Sequence, residues 1–125
     1  MEATLAVSPS LCVRRTSVTA GVAVVSVRGE IDLATAHILR DSLSPHVSDP
    51  EVTLLVCDLS QVRFLACSGL STLLDAQETL NARGARLSVI AAGPPVLRPM
   101  TVTGLLDTLR VVPSLAAALG QSTMD

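Results

Sequence analysis

The apolar positions along the chain change period several times, and each change marks an element. From Val52 to Leu59 the run Val-Thr-Leu-Leu-Val-Cys-Asp-Leu is almost unbroken apolar sequence, the pattern of a strand buried on both faces. Beyond it Leu70, Leu73, Leu74 and Leu80 recur at helical spacing, while Ser71, Asp75, Glu78 and Asn81 lie largely off that stripe. This predicts a helix over about 68–82, stopped by Gly84. Residues 86–91 read as the next strand. Upstream, residues 11–18 and 22–28 read as two strands joined by a turn at Thr19-Ala20-Gly21. Arg14 and Arg15 interrupt the alternation of the first, which suits an edge strand. A helix over about 34–44 follows, with Leu33, Ala36, Leu39 and Leu43 on its apolar face and Pro45 just past its end.

The last third is more broken. Gly93-Pro94-Pro95 ends a strand and opens a helix over about 96–102, which Pro99 should shorten or distort. Gly104 ends that helix. Residues 110–112 form a short strand, and Pro113-Ser114 opens a final helix carrying Leu115 and Leu119. The order β-β-α-β-α-β-α-β-α predicts an α/β layer fold, a mixed β-sheet packed by about four α-helices. With 125 residues the chain fits one domain. Residues 11–119 would form it, between a loose N-terminal tail at 1–10 and a polar tail at 120–125.

Composition narrows the function. The chain is 49% hydrophobic and 16% charged, enough apolar material for a dry core. No apolar run reaches the length of a membrane span, and Met1-Glu2 does not open a secretory signal; a cytoplasmic protein without membrane insertion is expected. All nine basic residues are Arg, scattered along a chain of net charge −2 whose one aromatic is Phe64. The Arg-only usage points to a high-GC bacterium. A nucleic-acid binder would show a basic stripe and stacking rings, so direct DNA or RNA binding is not expected. Cys12, Cys57 and Cys67 form no CxxC pair and no metal-ligand spacing with His37 or His46. The sequence has no P-loop and no GxGxxG, and nothing brings a base to Cys67. Neither an enzyme nor a resident cofactor or metal is expected.

One stretch keeps chemical potential. Phe64-Leu65-Ala66-Cys67-Ser68-Gly69-Leu70 joins the central strand to its helix, and Ser68 falls where backbone N–H groups and the helix dipole favour an anion. Ser68 could equally be an ordinary helix cap, followed by a glycine that permits close packing. Asp32, after Gly29-Glu30-Ile31, is likewise either a cap or a contact for a partner.

The run Asp58-Leu59-Ser60-Gln61-Val62-Arg63-Phe64-Leu65-Ala66-Cys67-Ser68-Gly69-Leu70 resembles the signature D-x-S-x-V-x-F-x-D-S-S/T-G-L of STAS domains, specifically bacterial anti-sigma factor antagonists. Asp58, Ser60, Val62, Phe64, Ser68, Gly69 and Leu70 match it. The stretches Val25–Asp32 and Arg98–Leu105 fit the same family in the same order. The resemblance implies a STAS-type fold and a protein that binds an anti-sigma factor, itself a serine kinase of the GHKL ATPase fold, and so frees a sigma factor. It implies that Ser68 is the phosphate acceptor and that the phosphorylated form lets go. It also implies a partner surface made by Gly29, Glu30 and Asp32 with Ala66, Cys67, Ser68 and Gly69. Other STAS roles carry no phosphorylation: a subunit of a lipid-transport ATPase, a signalling scaffold, or a nucleotide-binding domain.

Two positions depart from the signature. Ala66 stands where the family has Asp, removing a carboxylate beside the acceptor. Cys67 replaces Ser with a thiol, which either fills a tight turn or senses redox state.

Overall fold

A computed structural model of the chain describes residues 2–7 and 10–123. Its ten elements are β1 (Glu2–Val7), β2 (Leu11–Thr19), β3 (Val22–Ile31), α1 (Ala36–Val47), β4 (Leu54–Leu65), α2 (Cys67–Ala82), β5 (Arg86–Ile90), α3 (Pro94–Val102), β6 (Val111–Val112) and α4 (Leu115–Thr123). The strands form one mixed sheet in the order β1-β2-β3-β4-β5-β6. The β1–β2 and β2–β3 pairs are antiparallel, and β3 to β6 run parallel.

Two expectations at the N-terminus are corrected. Residues 2–7 of the expected loose tail are a strand, and β2 is therefore covered by β1 instead of forming the sheet edge. Residues 1, 8 and 9 lie outside the described residues. At the other end α4 carries helix to Thr123, into the expected tail, and residues 124 and 125 lie outside the described residues.

One face of the sheet holds most of the core. Val25, Val27 and Ile31 of β3 and Leu55, Cys57 and Leu59 of β4 meet Leu39 and Leu43 of α1, Leu70, Leu73 and Leu80 of α2, and Met100 of α3. Each such large side chain, fully buried, contributes about 1.5–3 kcal/mol. The opposite face carries a smaller cluster of Leu54, Val56, Ile90 and Val112 under Ala118 of α4. Because β4 is covered on both faces at its start, its sequence is continuously apolar there.

The strand β4 continues six residues past the expected end at Leu59. The alternation fails because two register shifts against β3 each insert one extra β4 residue, between the pairs Ser26↔Asp58 and Arg28↔Gln61, and between Gly29↔Val62 and Glu30↔Phe64. Leu59, Val62 and Leu65, three residues apart, all face the core as a result. Asp58 lies well inside β4, where its Oδ1 accepts the Ser60 N–H at 2.9 Å. The helix α1 also differs from expectation: it begins at Ala36, and Pro45 lies inside it.

Candidate functional site

Parallel strands β3 and β4, central in the sheet, end side by side, each leading directly toward a helix, so the starts of α1 and α2 share the C-terminal end of these strands. The Ala66 N–H donates to the Ile31 carbonyl at 2.8 Å and ties the two strand ends together. This brings together the Gly29–Asp32 stretch and the Ala66–Gly69 stretch, the residues that the resemblance assigns to a partner surface.

The two glycines act there through shape, and both are buried. Gly29 has φ +117°, and a Cβ at that position would collide with the Ser10 carbonyl, beside the point where the Glu30 N–H donates to the same oxygen at 2.8 Å. A Cβ on Gly69 would come within 2.6 Å of Ile31 Cγ2 and 2.7 Å of Leu65 Cδ1. Only glycine lets α2 start so close to the sheet.

Asp32 is the cap of the turn that precedes α1. Its Oδ1 accepts the Ala34 N–H at 2.9 Å and the Thr35 N–H at 3.0 Å, and Thr35 Oγ1 accepts the Asp32 N–H at 2.9 Å. This reciprocal arrangement satisfies donors that a helix start leaves open. It leaves Asp32 half-exposed and Leu33 86% exposed. The sequence reading put Leu33 on the apolar face of α1; the capped turn instead points it into solvent. Phe64 is 52% exposed, and neighbouring Arg63 reaches Glu30 at 3.9 Å in a solvent-exposed ion pair, worth at most about 1 kcal/mol. The site is thus an acidic turn beside two exposed apolar side chains. The sequence reading gave Thr35 no role and Leu33 no place at this surface; the Asp32-x-x-Thr35 spacing is the legible signal for the first.

The start of α2 is bare. Its N-cap is Ala66, in extended geometry and without a side-chain cap bond, and its first turn holds no acidic residue. Ser68 is not the cap. It sits one residue inside the helix, half-buried, and its Oγ is buried without a hydrogen-bond partner. Cys67 is exposed, whereas Cys57 is fully buried and its thiol is pushed up to about 12 by burial and then by Asp58. The N–H groups of the first turn and the dipole behind them favour an anion at this point. His46 lies near the other end of α1, and His37 is on the exposed side of its first turn. Among the described residues no group of three His, Cys, Asp or Glu side chains could hold a metal ion. No helix of the described residues is long and apolar enough to cross a membrane.

The fold and the paired helix starts define a class, and comparison with known proteins identifies it. The STAS domain family matches residues 14–118, and the chain belongs to that family. The anti-sigma-F factor antagonist RsfB of Mycobacterium tuberculosis is 40% identical over 99 residues, covering 79% of this chain and 80% of the relative. An anti-sigma factor antagonist from Mycobacterium paratuberculosis has the same fold, with a TM-score of 0.82 at 38% identity over 91% of this chain and 96% of that one. The antagonist SpoIIAA, whose structure is known unphosphorylated and phosphorylated, shares the fold at 20% identity or less; the unphosphorylated form has a TM-score of 0.74 and covers 88% of this chain and 95% of that one.

Proposed function

We propose that this protein is an anti-sigma factor antagonist of the bacterial cytoplasm that binds an anti-sigma factor and thereby frees a sigma factor. The partner would be a serine kinase of the GHKL fold, and phosphorylation of Ser68 would end the complex. The observation that carries this reading is the meeting of the Asp32 turn and the Ser68 helix start in one surface, held by the Ala66–Ile31 hydrogen bond. Glu30 and Asp32 supply charge to that surface, and Leu33 and Phe64 supply exposed apolar area. Exposed apolar side chains within a charged rim are a common basis for protein recognition.

Ser68 Oγ is buried in the free fold, so the side chain must rotate outward to meet a phosphoryl donor. A phosphate there adds about −1.5 to −2 charge and three acceptor oxygens. The open N–H groups of α2 tolerate that charge in the free domain. Against a partner surface shaped for a hydroxyl, a poorly compensated charge costs on the order of 2–5 kcal/mol, which is roughly thirty-fold to several-thousand-fold in affinity.

Incubation with the cognate anti-sigma kinase and ATP, followed by intact-mass measurement, tests the switch. One phosphate on the wild type and none on Ser68→Ala is the expected result. No phosphate on the wild type, or one that persists in Ser68→Ala, refutes it.

A further inference from the structure

On the flank of α1 turned away from α2, an open cavity of about 390 Å³ separates that helix from β2. Its walls include Arg15 of β2 and, from α1, His37, Asp41, Ser42, Pro45 and His46. Two of these groups lack partners. His46 is 3% exposed, and its Nε2 is buried with no hydrogen-bond partner. Buried polar atoms are almost always paired, and an orphan of this kind marks a place for a water, ion or ligand. Arg15 is half-buried, and its guanidinium makes no hydrogen bond or ion pair among the described residues.

Arg15 is the one cation of the lining and Asp41 the one carboxylate, so the open guanidinium is the group that would attract a negative guest. Burial first, and then the charge of Arg15, hold the His46 imidazole below its ordinary range, with Asp49 acting in the opposite direction. The ring is therefore neutral near pH 7, and the tautomer protonated on Nε2 offers a directed donor. Asp41 lies near Arg40, whose Nε is 3.4 Å from its Oδ1, and Ser42 Oγ already donates to the Ile38 carbonyl at 2.7 Å. The end of α1 that carries His46 is fixed in place: Arg83 donates to the carbonyls of His46, Val47 and Val52 at 3.2, 3.0 and 2.8 Å.

We propose that this cavity binds a small oxyanion, a phosphate or a carboxylate, between the Arg15 guanidinium and His46 Nε2. The planar guanidinium fork matches both headgroups. Ile38 and Pro45 provide apolar wall for the remainder of the ligand, and the volume lies within the range of small-molecule sites. The inference does not depend on the reading of Ser68, which sits at the start of a different helix.

The test is titration of the full chain with inorganic phosphate and, separately, acetate, with the imidazole resonances of His46 and His37 followed by NMR. At least one anion should give a saturable shift at His46 and move its pKa upward, because a bound anion favours the protonated ring. The headgroup that binds identifies the ligand class. Arg15→Gln should weaken binding by roughly tenfold or more, since it removes charge-assisted bonds. Arg15→Lys keeps the charge but loses the fork; it should weaken binding less, and serves if Arg15→Gln does not fold. No saturable shift at His46 with either anion, or equal binding by the Arg15 variants and the wild type, overturns the proposal.

Discussion

The Ala66 N–H and the Ile31 carbonyl, 2.8 Å apart, join the end of β3 to the start of α2. Ile31 also limits what can follow, because its Cγ2 occupies the space a side chain on Gly69 would need. The helix start that bears Ser68 is therefore set against the same strand end that leads into the Asp32 turn.

Gly69→Ala places a methyl group within 2.6–2.7 Å of two buried side chains. Overpacking of this kind costs about 1–3 kcal/mol. Urea unfolding should show that loss, and partner binding should fall with it as α2 is pushed from the sheet.

Ser68→Ala should leave stability unchanged or raise it by up to about 1 kcal/mol, because the hydroxyl it removes is buried and unpaired. A helix cap behaves oppositely and loses about 1 kcal/mol on truncation. Thermal or urea unfolding of the one variant separates the two.

Ala66→Asp puts a capping carboxylate at an extended N-cap that has no side-chain bond. It should stabilise the domain by about 1 kcal/mol. A capping carboxylate has its folded pKa below the unfolded value of about 3.9, so the gain is present above that pH and disappears as pH falls below it. Unfolding of variant and wild type at pH 7 and pH 3 checks both statements.

His46 supplies a second pH dependence of the opposite chemical type. Its folded pKa lies below the ordinary imidazole value of 6.5, chiefly through burial. The unfolded chain therefore binds the proton more readily, and the stability this neutral ring contributes is full above that unfolded value. It declines as pH falls toward the folded pKa and then levels off. His46→Gln should flatten the stability profile through this window, as measured by urea midpoints between about pH 7.5 and 5.

Asp32 has two roles that substitution can separate. Asp32→Asn keeps an oxygen to accept the Ala34 and Thr35 N–H groups, so the fold should be retained. Asp32→Arg removes the cap as well and should cost about 1 kcal/mol more. Both should weaken binding to the anti-sigma partner, the charge reversal by at least about tenfold. Unchanged affinity of Asp32→Arg by calorimetry removes Asp32 from the partner surface.

Much of the fold was legible because its signals are local. The apolar run of β4 reads as a doubly covered strand because α4 packs on the face opposite to α1–α3. The leucine spacing of α2 reads as a helix because Leu70, Leu73 and Leu80 are all in the core. The motif around Ser68, together with the stretches Val25–Asp32 and Arg98–Leu105 in the same order, was enough to point to the family, since each leaves a contiguous trace in the sequence.

What the tertiary structure alone decided depends on pairing across the chain. The strand at residues 2–7 has no strong pattern of its own and exists through its ladder with β2. The last half of β4 loses period-2 alternation because each bulge is defined against β3, a partner more than thirty residues away. Leu33 looks like a core residue by spacing, and it is a reciprocal cap between Asp32 and Thr35 that turns it outward. The Ser68 hydroxyl can be read as a cap in sequence but lies two positions past the Ala66 N-cap, where packing buries it without an acceptor. Periodicity and turn chemistry are written into neighbouring residues, whereas register, burial and unmet hydrogen bonds arise only when distant segments come together.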